Sequence, residues 1–343
     1  MFLMPAYLES QCDKAAQLDS SNPMDIVRDA KLRSDQVVEY SKQSRIPTGF
    51  AEIDKMMYGG LSTVEELLLI VARTNNGKSW MCVRMMESAQ SNGFPVLYYS
   101  PEMQSSYLGT RFDTWRGHFQ NSQLHQGKYT DQYVEYIDAL SKESVSAFVL
   151  EDKDMADGNV NVRGIEHLVK KHHIKLVIID GLSYMTDSKR GDTDYTKYKN
   201  ICNDLFRMSK QHGCAVVVAL QANRETKDQK DDKGDPFPNL YNIEGSDHPA
   251  RIATQVFAMR QVFDKHVLDI RLEKSRNANN QKPVFSYSWD INTGNIQYLP
   301  SGEETNSPSA QVLKPIAPKV TVHRTSDDEI LDDDDAWDES VEF

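Results

Sequence analysis

A polar, glycine-containing loop follows the first strongly apolar run of the chain, at residues 67–72. The end of the run and the loop after it read Ala72, Arg73, Thr74, Asn75, Asn76, Gly77, Lys78 and Ser79. In a phosphate-binding loop, backbone N–H groups wrap the phosphates, the lysine neutralises the β/γ charge and the serine hydroxyl ligates Mg²⁺. Residues 72–79 are therefore predicted to bind a nucleoside triphosphate, with Lys78 on the phosphates and Ser79 on Mg²⁺. Ala72 stands where the general motif G-x-x-x-x-G-K-[ST] begins with glycine.

Three more residues at the ends of apolar runs could take part in nucleotide hydrolysis. Asp180 follows the run at 174–179 and has the form of a Walker-B aspartate, whose carboxylate holds Mg²⁺. The residue after Asp180 is Gly181, so no second carboxylate is supplied there, and Glu102 is predicted to polarise the attacking water as general base. Gln221 could hydrogen-bond the γ-phosphate or that water. Each of the three could instead be an ordinary turn or surface residue.

The pattern of elements predicts an α/β fold that brings these residues to one edge. Near-continuous apolar runs occur at 67–72, 95–100, 146–150, 174–179 and 215–220, and helical patterns lie between them at 104–118, 131–141, 162–172 and 194–212. Such an alternation is typical of a mostly parallel sheet covered by helices on both faces, where ligands bind at the carboxyl ends of the strands. Shorter alternating runs at 255–262, 266–273, 284–289 and 296–299 predict an antiparallel extension of the same sheet.

Charge is distributed unevenly along the 343 residues, whose formal net charge is −12. Ten acidic residues and no Lys or Arg lie between Asp327 and Phe343, which leaves −2 for the rest of the chain. The low pI therefore does not exclude nucleic-acid binding. The four cysteines show no disulfide or metal-ligand spacing, and no run has the length of a signal segment or a membrane span. These features predict a cytoplasmic protein without a membrane partner.

Several short motifs occur in a fixed order along the chain. They are Thr48-Gly49-Phe50-x3-Asp54, Ala72-Arg73-x3-Gly77-Lys78-Ser79, Ser100-x-Glu102-Met103, Ile178-Ile179-Asp180-x-Leu182, Leu220-Gln221-x-Asn223-Arg224, Glu244-Gly245-Ser246 and Lys274-x-Arg276-Asn277. Together they resemble the RecA-like motor domain of DnaB-type replicative helicases, over about residues 46–300. That family also opens its phosphate-binding loop with Ala-Arg.

The resemblance implies a homo-hexameric ring that hydrolyses ATP, dTTP or another NTP with Mg²⁺ at subunit interfaces, moves on single-stranded DNA and unwinds forked duplex. In such proteins the Lys-x-Arg pair reaches into the neighbour's site. Arg276 would then be the arginine finger and Lys274 its companion sensor, because a guanidinium supplied across an interface stabilises the transition-state charge. Without that context, the pair is most often solvent-facing charge.

Two loops are expected to face the pore of such a ring and to hold DNA phosphates without reading bases. The first, at about 186–194, carries Lys189 and Arg190, and the second, at about 225–245, carries Lys227, Lys230, Lys233 and Gly245. The second loop reads Tyr241-Asn242-Ile243-Glu244-Gly245 where relatives have an arginine before the Glu-Ser-Gly part. A solvated flexible loop remains the alternative for these lysines.

The two ends are expected to differ from the motor domain at 46–300. Residues 1–45 are predicted to form an arm, with a helix near 23–41 that resembles in position the linker helix joining neighbours in the ring. Residues 301–343 are predicted to be a disordered acidic tail. With Trp337 and the terminal Phe343, the tail is similar to those of single-stranded-DNA-binding proteins and of the helicase-primase of T7-like phages. It is therefore expected to dock on a replisome protein such as a DNA polymerase, in a protein of phage origin.

Two other functions remain open from the sequence. A RecA/UvsX-like recombinase ATPase, which forms filaments on single-stranded DNA, shares the Thr-Gly entry, the glutamate after the second strand and the strand-end glutamine. Such proteins normally open the phosphate-binding loop with Gly-Pro, whereas this chain has Ala-Arg. A nucleotide-gated clamp or loader with vestigial hydrolysis is the third possibility, and the presence of Glu102, Gln221 and Arg276 argues against it.

Overall fold

The computed structural model describes residues 24–300 except for 156–157, 190–192, 223–236, 239–247 and 277–281. Within these ranges the chain forms a nine-stranded sheet flanked by helices. The segment predicted as an acidic tail lies outside the described residues. None of the described helices is long and apolar enough to span a bilayer.

The sheet has the order β3-β2-β4-β5-β1-β6-β7-β8-β9. Its strands are β1 (Leu67–Ala72), β2 (Val96–Tyr99), β3 (Ala147–Leu150), β4 (Leu176–Asp180), β5 (Ala215–Gln221), β6 (Gln255–Val262), β7 (Val267–Ser275), β8 (Val284–Asp290) and β9 (Asn295–Leu299). From β3 to β6 all neighbouring strands are parallel, and from β6 to β9 all are antiparallel. The predicted parallel sheet with an antiparallel extension is confirmed.

The helices lie between these strands, and their bounds agree closely with the sequence pattern. They are α1 (Ala30–Lys42), α2 (Ala51–Met56), α3 (Lys78–Ser91), α4 (Ser105–Gly117), α5 (Asn121–His125), α6 (Asp131–Leu140), α7 (Val162–His172), α8 (Asp194–His212) and α9 (His248–Ile252). The short helices α2, α5 and α9 were not predicted, because five or six residues are too few to establish a 3.6-residue period.

The apolar core occupies both faces of the sheet, which explains why the central strands are apolar at every position. Strands β1 and β2 are buried along their whole length. Helices α3 and α4 pack on one face of the sheet, and α7 and α8 pack on the other. A strand covered on both sides has no polar face to present to water, so β-branched and leucine residues follow one another without alternation.

The N-terminal helix α1 begins at Ala30, later than the sequence analysis expected. Its start is delayed because the Asp25 carboxylate accepts hydrogen bonds from the backbone N–H groups of Val27 and Arg28, at 3.0 Å each. This side-chain turn competes with helical pairing over the preceding residues. None of the residues of α1 is buried against the rest of the described chain. The exposed large hydrophobic side chains at or before α1 are Met24, Ile26, Val27, Leu32, Val37, Val38 and Tyr40.

The central position of β1 predicts that its side chains dominate stability. Replacing the fully buried Leu69 by alanine should lower the free energy of unfolding by about 2–5 kcal/mol, through lost burial and the cavity left behind. The matched change Val134→Ala removes a side chain that is 53% exposed, and should alter the free energy by less than about 0.5 kcal/mol. Urea unfolding followed by circular dichroism measures both. Equal losses would contradict the assignment of β1 to the core.

Candidate nucleotide-binding site

A cavity of about 440 Å³ lies at the carboxyl edge of the parallel strands. It is lined by residues from the loop after β1, the turn after β2 and the ends of β4 and β5. Of the residues predicted to bind or hydrolyse the nucleotide, Lys78, Ser79, Glu102, Asp180 and Gln221 line it together with residues 73–77 of the loop, whereas Ala72, Lys274 and Arg276 do not. The strands that carry these residues are distant in sequence, and their parallel pairing brings their ends together.

The phosphate-binding loop has a backbone that explains its unusual first residue. Ala72 is the last residue of β1, pairs with Gln221 of β5 and Met259 of β6, and is fully buried. It has ordinary strand geometry, so alanine replaces glycine at this position without backbone strain. Gly77, in contrast, has φ +80°, a left-handed conformation that favours glycine.

Helix α3 begins at Lys78, directly after Gly77, and presents its N-terminus to the cavity. Within the described chain no side chain caps this end and its first turn contains no acidic residue. The first backbone N–H groups of a helix and the positive end of its dipole favour an anion. Lys78 and Ser79 in the first turn add an ammonium and a hydroxyl, so the helix start fits a phosphate group.

Three tryptophans lie under the phosphate-binding loop. A Cβ added to Gly77 would come within 3.4 Å of the Trp289 ring. Trp115 lies between Trp289 and Trp80, with ring centroids 5.3 and 6.0 Å away. The indole N–H of Trp115 also donates to the Trp80 carbonyl at 3.1 Å. These rings support the start of α3 from beneath, a role that their spacing in the sequence does not indicate.

Two hydrogen bonds tie the loop to the neighbouring strands. The side chain of Gln221 donates from Nε2 to Thr74 Oγ1 at 3.0 Å. The backbone N–H of Gln261, in β6, donates to Asn76 Oδ1 at 2.8 Å. The conformation of the loop is therefore linked directly to the carboxyl ends of β5 and β6.

Glu102 is held at the cavity by a tight turn after β2. The Ser100 hydroxyl donates to the Met103 carbonyl at 2.7 Å, which closes the turn around Glu102. Pro101 lies against Gly181, where an added Cβ would approach the proline ring to 2.9 Å. The glycine after Asp180 therefore allows the turn that carries Glu102 to approach the end of β4. This packing places both carboxylates on one cavity.

Asp180 has a partner that the sequence analysis missed. The buried Tyr98 hydroxyl donates to Asp180 Oδ2 at 2.7 Å, from the same face of the neighbouring strand β2. Burial, and then the nearby Asp180 charge, raise the pKa of Tyr98, so the phenol remains a donor. An outer hydrogen bond of this kind orients a carboxylate that binds a metal.

The donor set at the cavity fits Mg²⁺ bound together with a nucleotide. Among the described residues no cluster of three His, Cys, Asp or Glu side chains could hold a metal ion. Mg²⁺ does not require one, since it usually takes one or two protein oxygens, substrate phosphates and water. Ser79 and Asp180 supply a hydroxyl and a carboxylate to the same cavity.

Arg111, in α4, is a second cavity residue that the sequence analysis missed. Its guanidinium lies over the Trp80 ring, 4.8 Å from the centroid, and its Nε is buried with no hydrogen-bond partner among the described residues. Burial lowers the pKa of Arg111, while Tyr98 and Asp180 oppose that shift. On an amphipathic helix an arginine is typical of the solvent-facing side, and only the packing of α4 on α3 places it at the cavity.

Lys274 and Arg276, the Lys-x-Arg pair, lie at the amino ends of the parallel strands, opposite the carboxyl ends that form the cavity. Ser275, between Lys274 and Arg276, pairs with Gln255, which pairs with Leu68 at the start of β1. Lys274 donates to the carbonyls of Ala250 and Arg251 at 2.8 and 2.9 Å. Arg276 donates to the Ile252 carbonyl at 2.9 Å, and its guanidinium lies 5.4 Å from the Phe206 ring centroid. Burial, with a contribution from Arg276, lowers the pKa of Lys274.

The residues predicted to contact DNA are only partly described. Lys189 Nζ forms an ion pair with the largely buried Asp204 at 2.7 Å, so its charge is engaged within the chain. Arg190, Lys227, Lys230, Lys233 and Gly245 lie outside the described residues. DNA contact by these side chains stays a prediction.

The fold and the cavity define a P-loop nucleoside triphosphatase on a mostly parallel sheet. The family model for the DnaB-like helicase C terminal domain matches residues 45–291, and the chain belongs to this family. The motif order at 46–300 had indicated the same family. The match favours the helicase interpretation over the recombinase alternative.

Similar proteins agree with this assignment. The replicative DNA helicase DnaB of Mycoplasma genitalium is 23% identical over 281 residues, covering 77% of this chain and 59% of that protein. The replicative DNA helicase DnaC of Bacillus subtilis is 21% identical over 239 residues, covering 68% of this chain and 52% of that protein. The chain spans about half the length of the curated relatives it matches.

Two solved structures share the fold. One, an ATPase domain, has a TM-score of 0.68 at 18% identity, over 81% of this chain and 100% of that chain. The other, a DnaB-like replicative helicase from work on its interactions with primase, has a TM-score of 0.65 at 17% identity, over 84% of this chain and 71% of that chain.

The hydrogen bond from Tyr98 to Asp180 can be tested through its effect on Mg²⁺. Tyr98→Phe should raise the Mg²⁺ concentration needed for half-maximal triphosphate binding by about tenfold, because Asp180 loses the donor that orients it. Titration with a fluorescent nucleotide measures this. The matched control is Tyr99→Phe, since the Tyr99 hydroxyl donates instead to Asp152 at 2.7 Å. If both variants require the same Mg²⁺ concentration, the Tyr98 hydroxyl has no role in metal binding.

Proposed function

We propose that this protein is a replicative DNA helicase that couples NTP hydrolysis at subunit interfaces to translocation on single-stranded DNA and unwinding of forked duplex. The observation that carries the proposal is the separation of its catalytic groups. Lys78, Ser79, Glu102, Asp180 and Gln221 line one cavity, and the Lys-x-Arg pair lies at the other edge of the sheet. Two copies of the chain would be needed to complete such a site.

Within one subunit, each cavity residue has a role that follows from its chemistry. Lys78 and the N–H groups at the start of α3 hold the phosphates. Ser79 and Asp180 would hold Mg²⁺, which neutralises charge that develops on the phosphate oxygens. Glu102 accepts a proton from the attacking water, and Gln221 orients that water or the γ-phosphate. Arg111 adds a guanidinium on the same cavity, available to phosphate oxygens.

Arg276 is assigned to the neighbouring subunit's site because of its distance from its own. Arg276 lies near the level of Leu68, at the start of β1, whereas the phosphate-binding loop follows Ala72 at the end of that strand. The strand between Leu68 and Ala72 is about 13 Å long at 3.3 Å per residue. The arginine side chain also donates to Ile252 at that far edge. If Arg276 stabilises the transition state, it does so in a second copy, as an arginine finger with Lys274 beside it.

The rest of the assembly follows from the same proposal. The exposed apolar side chains of α1, within the arm at 1–45, would pack on the adjacent subunit of a homo-hexamer around the motor domain at 46–300. The loops at 186–194 and 225–245 would grip single-stranded DNA. The acidic tail at 301–343, ending in Phe343, would dock on a replisome protein such as a polymerase. The protein would act in the cytoplasm, that of the host if its origin is a phage.

The helicase proposal predicts that unwinding depends on the phosphate-binding loop. Lys78→Ala should abolish both Mg²⁺-dependent hydrolysis and unwinding of a forked duplex, because the β/γ-phosphate charge loses its cation. A strand-displacement assay with a fluorescent fork measures the second. The control Lys170→Ala removes a lysine that pairs with Glu166 on α7, away from the cavity, and should unwind normally. Unwinding by the Lys78→Ala protein would refute the proposal.

The assignment of Arg276 to the neighbouring site predicts complementation between inactive variants. Lys78→Ala and Arg276→Ala proteins should each be inactive, and their mixture should recover hydrolysis. In rings assembled at random from the two variants, about one interface in four joins a subunit with an intact phosphate-binding loop to a neighbour with an intact Arg276. Phosphate release from an equimolar mixture, after exchange of subunits, measures this. A mixture that remains as inactive as its components would place Arg276 outside the neighbour's site.

A further inference from the structure

A second cavity, of about 360 Å³, lies between α4, α5 and α6. Among the described residues, none lines both this cavity and the nucleotide site. Both cavities border α4, where Arg111 lines the first and Asp113 the second. Because two residues are about 200° apart around an α-helix, these two side chains leave α4 in nearly opposite directions. The second cavity is therefore a separate site, at the small end of the roughly 300–1,000 Å³ typical of ligand pockets.

Two pairs of stacked aromatic rings line this cavity. Tyr107, in α4, stacks on His125 at the end of α5, with ring centroids 4.9 Å apart and 24° between the planes. Tyr129, in the loop before α6, stacks on Tyr133 with centroids 4.9 Å apart and 30° between the planes. The faces of aromatic rings carry the negative part of their quadrupole and attract cations. Tyr107 and Tyr129 are 47% and 58% exposed, so both rings are accessible to a ligand.

A buried carboxylate completes the lining of the cavity. Asp113 is 6% exposed, and its two oxygens accept hydrogen bonds from the hydroxyls of Tyr133 and Tyr136, at 2.8 and 3.0 Å. Burial raises the pKa of Asp113, and the two hydrogen bonds oppose that shift. Within the part of the chain that the structure describes, no Lys, Arg or His pairs with this carboxylate. Buried carboxylates normally have a cation as partner, and each oxygen can accept a further hydrogen bond.

The surface beside the cavity is acidic and partly apolar. Val134 and Ile137, on α6, are 53% and 37% exposed. Lys128, in the loop between α5 and α6, does not line the cavity. Acidic surroundings disfavour the phosphates of a nucleic acid, whereas exposed tyrosines beside apolar side chains are typical of surfaces that bind proteins. The exposed acidic residues of α6 are Asp131, Glu135 and Asp138, and this helix contains no Lys or Arg.

We propose that this cavity binds an arginine side chain of a partner protein. The planar guanidinium stacks on an exposed tyrosine ring and donates to Asp113, and the residues that flank the arginine contact Val134 and Ile137. An ammonium group fits less well, because it neither stacks on a ring nor donates as a planar fork. The inference goes beyond the proposed helicase function and does not depend on it, since the cavity is separate from the nucleotide site.

The test measures binding of short peptides to the full chain at about 0.15 M salt. The probe is acetyl-Gly-Leu-Arg-Leu-Gly-amide, followed by the broadening of its NMR lines. A matched peptide carries citrulline in place of arginine, which keeps nearly the same shape without the charge, and should bind about tenfold more weakly or less. Butylguanidinium, which lacks the flanking residues, should also bind more weakly. Equal binding of the two peptides would overturn the guanidinium site, and equal binding of butylguanidinium would overturn the protein partner.

The role of the buried carboxylate is tested by Asp113→Asn, which removes its charge with little change of shape. This variant should bind the arginine peptide about tenfold more weakly than the parent. The matched control Asp138→Asn makes the same change on the exposed side of α6 and should bind like the parent. Both variants lose one negative charge, so attraction of the peptide to the acidic stretch at 327–343 is the same in both. Equal affinities of the two variants would contradict the proposal.

A second variant tests the rings without disturbing a buried group. Tyr129→Ala removes a side chain that is 58% exposed, and should weaken binding of the arginine peptide about threefold or more. Its control is Tyr58→Ala, which removes a tyrosine that is 75% exposed in the turn after α2 and should bind like the parent. Unchanged binding by Tyr129→Ala, or the same loss in both variants, would show that the rings do not hold the cation.

Discussion

Parallel pairing around the buried strand β1 is the constraint on which the site depends. Parallel strands end at the same edge of a sheet, so β2, β4 and β5 bring their terminal residues to the loop that follows β1. Glu102, Asp180 and Gln221 are far apart along the chain. Their shared cavity results from the parallel strand order β2-β4-β5-β1, and the sheet that carries it is buried on both faces.

The change from parallel to antiparallel pairing at β7 has the opposite effect on its residues. Strand β7 returns from the cavity edge, so Lys274 and Arg276 arrive at the start of β1 instead of its end. In the proposed ring, the cations assigned to the neighbour's site are thereby kept away from the subunit's own nucleotide. This topology makes hydrolysis a property of the interface in the proposed ring, and lets each subunit sense whether its neighbour is in place.

Several aromatic side chains around the site make contacts with its residues. Tyr98 donates to Asp180, and Trp289 lies beneath Gly77. In each case a rigid aromatic side chain positions a group at the cavity. Aromatic rings suit these positions because they bury a large area with few rotatable bonds.

The sequence alone determined the elements and the local chemistry. Continuous β-branched runs require burial on both faces, and a glycine before Lys78 and Ser79 requires a left-handed turn at a helix start, so the sheet, its main helices and the phosphate-binding loop were predictable. Arg111 and Tyr98 were not, because their partners are distant in sequence and their own positions follow helix or strand periods typical of ordinary surface or core residues. Lys189 was predicted to lie on a loop that holds DNA phosphates, and the ion pair that its ammonium forms with Asp204 of α8 was not predicted. Only the tertiary structure decides such contacts, since they depend on which strands pair and on how the helices cover them.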